Sequence, residues 1–225
     1  MNILITGDSR GLGYELCKQY SASHSVTGIS RSKHVDGQWN HLSHDLSLKT
    51  VPNQLLHALI ETDVLIHNAA IASSKLAMIE TLKSAEEQFD INFLSPFILT
   101  KAWMQHRLRL RKPGHVIFIS SICSKRSFRG LSIYSATKSA INSYSKSIAF
   151  EMGKKNIRSN VVVPGYMETD MSSSLSDDQL KKIQSRCPMK RLAKIEEVCS
   201  AVGFLIESSD FINGSEIVVD GGYSL

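Results

Sequence analysis

Met1-Asn2-Ile3-Leu4-Ile5-Thr6-Gly7-Asp8-Ser9-Arg10-Gly11-Leu12-Gly13 opens the chain and decides how the rest is read. Ile3–Thr6 is a short apolar run rich in β-branched residues, which suits a strand buried on both faces. It passes without a break into a glycine-rich turn, and Leu12–Tyr20 then takes up helical spacing. Glycines in that position allow a tight turn and let backbone N–H groups approach a pyrophosphate at the helix N-terminus. Glycine-rich strings also end ordinary strands. The placement between a first strand and a first helix is what points to a dinucleotide.

Outward from this turn the same alternation continues to the end of the chain. Strand-like runs recur at Val26–Ile29, Val64–His67, Val116–Ser120, Asn160–Val163 and Glu216–Val219, with helically spaced segments at Val51–Ile60, Ala85–Arg109, Ala136–Glu151, Asp177–Arg186 and Ile195–Glu207. Alternation of this kind implies βαβ units and a doubly wound parallel α/β sheet, a Rossmann fold in which residues 1–225 form a single domain. Between Ile29 and Asp45 there is room only for a shortened crossover or a loop.

Composition adds exclusions. With 42% hydrophobic and 21% charged residues the chain is ordinary globular protein. No apolar run is long enough to span a bilayer, and no signal segment precedes the first strand, so a cytoplasmic location without membrane contact is expected. A net charge of +5 suits an anionic ligand and does not call for nucleic acid. Arg107, Arg109, Arg111 and Lys112 read as a solvated helix end. Cys17, Cys123, Cys187 and Cys199 have no metal-binding spacing and read as free thiols. No metal is expected.

The spacing of the turn is TGxxxGxG, and with it the chain resembles the short-chain dehydrogenase/reductase family. Five further stretches carry the resemblance in order: His67-Asn68-Ala69-Ala70, Asn92 within Asp90-Ile91-Asn92-Phe93, Ser121 after Ile119-Ser120, Tyr134-Ser135-Ala136-Thr137-Lys138, and Pro164-Gly165-Tyr166-Met167-Glu168-Thr169. The closing stretch Val219-Asp220-Gly221-Gly222 is similar as well. The family's first Asn is His67 here and its Gly is Ala70. The resemblance implies a carbonyl reductase or alcohol dehydrogenase with catalytic Asn92, Ser121, Tyr134 and Lys138. It implies a nicotinamide cofactor held by Gly7, Ser9, Arg10, Gly11, Leu12 and Gly13, by Asn68 and Ala69, by Tyr134 and Lys138, and by Pro164, Gly165, Met167 and Thr169.

The residues themselves can do this chemistry. On a helix, Tyr134 and Lys138 stand one turn apart on a shared face, and an ammonium there is expected to lower the phenol's pKa so that it can give and take a proton. Ser121 can donate to the developing oxyanion. Its neighbour Ser120 points the other way if the strand alternates. Asn92 is expected to anchor a water connecting Lys138 with solvent.

At the end of the second strand, where an NAD enzyme places an acid, the sequence has Ser30 and then Arg31, with Arg10 in the turn. Two guanidiniums and a hydroxyl suit a 2′-phosphate, so NADP(H) is the expected cofactor. Asp45-Leu46 either contacts adenine or caps the next segment. The stretch from Pro164 to Gly222 is most similar to 3-oxoacyl-acyl-carrier-protein reductases, with 168–191 as a lid over the substrate. Lys112 and Lys155 either meet an acidic carrier protein or are plain surface lysines. A polyketide, sugar or steroid-like ketone, and a catalytically silent NADP-binding protein, remain alternatives. The apolar helices Ala85–Arg109 and Ala136–Glu151 are expected to pair in a homodimer or homotetramer.

Overall fold

All seven strands run parallel in one sheet, in the order β3-β2-β1-β4-β5-β6-β7. The computed structural model describes residues 1–34, 36–168, 176–207 and 210–225. The strands are β1 (Asn2–Thr6), β2 (Ser25–Ser30), β3 (Asn40–Ser43), β4 (Val64–His67), β5 (Gly114–Ile119), β6 (Ile157–Pro164) and β7 (Glu216–Val219). The helices are α1 (Gly11–Ser21), α2 (Asn53–Glu61), α3 (Leu82–Phe89), α4 (Ser95–Leu110), α5 (Ser132–Met152), α6 (Asp177–Arg186) and α7 (Ile195–Glu207).

Strand alternation shows why the runs are apolar throughout. Ile3 and Ile5 of β1 face one layer and Leu4 the other; Ile117 and Ile119 of β5 oppose Val116 and Phe118 in the same way. One layer packs Leu12 and Leu16 of α1 with Val198, Val202 and Leu205 of α7. The opposite layer packs Leu55 and Leu59 of α2, Leu99 and Trp103 of α4, and Ile141 and Ile148 of α5. A sheet covered on both faces needs side chains of both parities to be apolar.

Three local features differ from the sequence reading. The polar strand β3, Asn-His-Leu-Ser, was not among the expected strands; it lies at the sheet edge with both ends exposed, so burial never demanded an apolar pattern. The segment expected as one helix over Ala85–Arg109 is α3, a π-helical turn at Asp90–Leu94, and α4. Pro96 has no N–H to give to a helix, and the Ser95 N–H bonds back to the Asp90 carbonyl. Arg107 is not solvated: it is 2% exposed, pairs with Asp63 at 2.9 Å and donates to the Pro113 carbonyl, fastening the end of α4 to the start of β4.

The functional consequence is positional. The carboxyl ends of β1, β4, β5 and β6 open onto one edge, and the strand order reverses between β1 and β4. In an open parallel sheet that crevice is where a ligand binds.

Candidate active site

β5 ends at Ile119, and Ser121 begins the 3₁₀ turn Ile122–Ser124. The Ser121 Oγ accepts the Cys123 N–H at 3.2 Å, which leaves its own proton free to turn toward the Tyr134 phenol beside it. Ser120 faces away, toward Ser124 Oγ at 3.3 Å and the Lys138 carbonyl at 3.4 Å. The first turns of α5 set Tyr134 and Lys138 together, with the Lys138 Nζ 5.6 Å from the centre of the Tyr134 ring. That ammonium is buried and donates to the Ile119 carbonyl at 2.8 Å.

Asn92 sits in the π-helical turn. Its Nδ2 donates to the Ile71 carbonyl at 2.8 Å and to Thr137 Oγ1 at 3.1 Å, and its Oδ1 accepts the Ile71 N–H at 2.8 Å. The side chain thereby ties the segment after β4 to the residue preceding Lys138. π-turns of this kind collect at functional sites.

Electrostatics depart from expectation in one respect. Burial presses the Lys138 ammonium down to about 8, with the neighbouring Cys123 opposing in part. Burial also pushes the Tyr134 phenol up, Cys123 adds to this, and the Ser121 bond opposes it. The expected lowering of the phenol by Lys138 is therefore overturned in the chain alone. The ammonium is spent on the Ile119 carbonyl and lies over the ring, and desolvation of the phenolate outweighs it.

Cys123, read from the sequence only as a free thiol, is buried against this group, and burial pushes its pKa up. Beside it stand Tyr166, Phe128 and Tyr223 in mutual ring contact, with the Arg126 guanidinium 5.5 Å from the Tyr223 ring centre. Only the fold gathers these residues, and no spacing in the chain relates them.

On the other side of the crevice lies the glycine-rich turn. Gly11 has φ +57° and open space where a Cβ would project, which fits a ligand lying against the backbone at the start of α1. Leu12 is buried in the core and anchors the helix; Ser9 is half-buried. Asn68 holds the turn from below, its Nδ2 donating to the Thr6 and Gly7 carbonyls, while the Thr6 hydroxyl receives the N–H groups of Asn68 and Ala69. Arg10 and Arg31 are exposed, and among the described residues neither side chain is in a hydrogen bond or ion pair. Asp45 caps the 3₁₀ turn Leu46–Leu48 by accepting the Ser47 N–H at 2.9 Å; that bond lowers its pKa.

Pro164 ends β6, and the Gly165 N–H bonds the Val219 carbonyl at 2.9 Å. Met167 pairs with Ala193. Thr169, and with it residues 169–175 of the expected lid, lies outside the described residues.

One residue of the turn was missed altogether. Asp8 is fully buried and receives hydrogen bonds from Ser30 at 2.6 Å and Trp39 at 2.8 Å, with His41 also at 2.8 Å. The Ser30 hydroxyl, expected to face a phosphate, is thus already engaged.

A parallel sheet with this switch point, a glycine-rich phosphate turn and a Ser-Tyr-Lys group across the crevice defines a nicotinamide-dependent oxidoreductase. Residues 41–224 match the family model described as enoyl-(acyl carrier protein) reductase. The chain is 32% identical to 3-oxoacyl-[acyl-carrier-protein] reductase FabG of Buchnera aphidicola, over 97% of this chain and 95% of the relative. Among solved structures, 4-hydroxyisoleucine dehydrogenase complexed with NADH superposes with a TM-score of 0.90 at 24% identity, covering 99% of this chain and 98% of that one. A putative 2-deoxy-D-gluconate 3-dehydrogenase from Agrobacterium tumefaciens with bound NADP gives 0.89 at 26% identity, covering 99% and 95%. The chain belongs to the short-chain dehydrogenase/reductase family and is an oxidoreductase acting on CH–OH and C=O groups. No helix among the described residues is long and apolar enough to cross a membrane.

Proposed function

We propose that the protein is an NADPH-dependent reductase of small carbonyl substrates, with 3-oxoacyl thioesters as the substrate class to test first. The observation that carries this reading is the Ser121–Tyr134–Lys138 group at the carboxyl end of β5, across the crevice from the turn at Gly11. When bound, the nicotinamide supplies a hydride to one face of the carbonyl. Tyr134 gives the developing alkoxide its proton. Ser121, its lone pair held by the Cys123 amide, donates to the same oxygen and stabilises charge there. Lys138 holds the ribose hydroxyls and keeps positive charge beneath the phenol. Asn92 orients this segment through Thr137 and anchors a water that passes protons outward.

The remaining contacts of the cofactor follow the same edge. The backbone of Gly7, Ser9, Gly11, Leu12 and Gly13 cradles the pyrophosphate. Asn68 and Ala69 floor the adenosine side, Asp45 and Leu46 border the adenine, and Pro164, Gly165 and Met167 with Thr169 border the nicotinamide. The two exposed guanidiniums of Arg10 and Arg31 support NADPH, since a 2′-phosphate takes charge-assisted bonds from them.

A carrier-protein partner is supported by the FabG relatives and by the exposed Lys112 and Lys155. Pairing of two copies through α4 and α5 is supported by Phe150, 92% exposed on α5, and by Phe97 on α4. The four unpaired cysteines support a reducing, cytoplasmic setting. A panel of carbonyl substrates with NADPH, including acetoacetyl thioesters, followed at the nicotinamide absorbance, tests the reading. Turnover of a 3-oxoacyl thioester supports it; tight NADPH binding with no turnover across the panel replaces it with a nucleotide-binding role.

A further inference from the structure

The end of β2 has no acid of its own, yet one reaches it from the glycine-rich turn. Asp8 crosses beneath β2 where Gly28 leaves space: a Cβ at Gly28 would stand 2.1 Å from Asp8 Oδ2. The carboxylate is fully buried. Oδ1 accepts from the Ser30 hydroxyl at 2.6 Å, Oδ2 accepts from Trp39 Nε1 at 2.8 Å, and His41 Nδ1 lies 2.8 Å from Oδ2. A buried carboxylate is tolerated only with partners of this kind. Ser30 ends β2, His41 lies in β3, and Trp39 comes from the stretch that replaces the crossover helix between them.

This arrangement changes what Ser30 can offer. A serine hydroxyl has one proton and two lone pairs. The shortest bond it makes is to Asp8; the Ser32 carbonyl lies next at 2.8 Å. With its proton turned inward, Ser30 presents only lone pairs to the ribose. A ribose 2′-hydroxyl can donate to that oxygen. A 2′-phosphate is an acceptor, gains nothing from it, and meets the field of the carboxylate behind it.

We infer that Asp8, acting through Ser30, is a positioning residue that favours the 2′-hydroxyl of NAD(H) and narrows the preference imposed by Arg10 and Arg31. The inference rests on the reading of Ser30 as the ribose neighbour. The chain therefore binds both cofactors, with the phosphate read by the guanidiniums and the hydroxyl read by the Asp8–Ser30 pair.

The test is equilibrium binding of NADPH and NADH, by quenching of protein fluorescence, to wild type, Asp8→Ala and Ser30→Ala. Both variants should weaken NADH by about five- to tenfold, the loss of one good hydrogen bond, and leave NADPH unchanged or tighter. The ratio of the two dissociation constants then moves toward NADPH. A merely structural role would weaken both cofactors alike and leave the ratio where it was, which overturns the inference. So does a Ser30→Ala variant that weakens NADPH, because the hydroxyl would then be a donor to the phosphate. Should Asp8→Ala fail to fold, Ser30→Ala decides alone, since Asp8 keeps its other two partners there. The wild-type preference by itself tests the proposed NADPH dependence; only its change on substitution tests Asp8.

Discussion

The catalytic rim beyond β4 and β5 and the ribose rim beyond β2 and β3 share one sheet edge, but they are built differently. The catalytic rim is assembled from neighbours in the chain. Tyr134 and Lys138 are one helical turn apart, and Ser121 caps the 3₁₀ turn that follows β5. The ribose rim is held by Asp8, which gathers Ser30, Trp39 and His41 from three separate places. Where function follows local periodicity the chain itself shows it. Where a buried charge organises distant donors, the chain shows only residues of ordinary type.

The sharpest way to break this contrast is at the proposed proton donor. Tyr134→Phe keeps the ring beside Lys138 and removes the acid. Turnover should fall by roughly 10²–10⁴, with NADPH binding retained. Steady-state rates beside cofactor titrations check this, and activity within a few-fold of wild type would remove Tyr134 from the mechanism.

The ribose rim is probed next. Arg31→Ala should weaken NADPH about tenfold and leave NADH nearly unchanged, because one bond to a charged group is worth about 1.5–3 kcal/mol. Adding Ser30→Asp would set a second carboxylate against Asp8 and confound the result. Equal losses for both cofactors would show that Arg31 does not meet the 2′-phosphate.

The smallest effects are on stability, and they come from buried bases in β4, β5 and α5. His67, at the end of β4, and His115, in β5, are buried and pressed to about 3, mainly by burial, with Lys138 adding to the effect on His67 and Arg158 on His115. Between pH 3 and the ordinary histidine value of 6.5 the unfolded chain binds protons that the folded chain refuses. Stability should therefore fall as pH drops through that window, read as a decreasing midpoint in urea. Lys138, pressed to about 8, acts in the same sense at higher pH: from about 8 to 10.5 the unfolded chain holds the extra proton. The thiols of Cys17, Cys123 and Cys199, pushed up from 9.0 by burial, oppose it from about pH 9 upward, so the contribution of Lys138 is read as a difference against a variant. A Lys138→Met variant should lose stability more steeply than wild type as pH climbs through that window. A wild-type profile that is flat across the acidic window, or an alkaline limb that Lys138→Met leaves unchanged, would mean these groups are not buried as described.

The sequence by itself determined the doubly wound fold, the glycine-rich turn and the placement of Ser121, Tyr134 and Lys138, because strand parity and helical spacing are local rules. Alternation left only one of Ser120 and Ser121 to face the site, and the resemblance to the family selected Ser121; Ser120 is turned to Ser124 and the Lys138 carbonyl. The tertiary structure alone decided the rest. The edge strand β3 carries no apolar signal, since two of its four residues are exposed and none is fully buried. The break at Asp90–Leu94 hangs on one missing N–H at Pro96 and on the contacts of Asn92 across the crevice. The phenol of Tyr134 is pushed up, because desolvation depends on everything packed around it and Lys138 is turned to the Ile119 carbonyl. Asp8 became legible only once β2 and β3 lay beside the turn. A carboxylate's role is set by the donors it meets, and those come from residues that spacing along the chain does not relate.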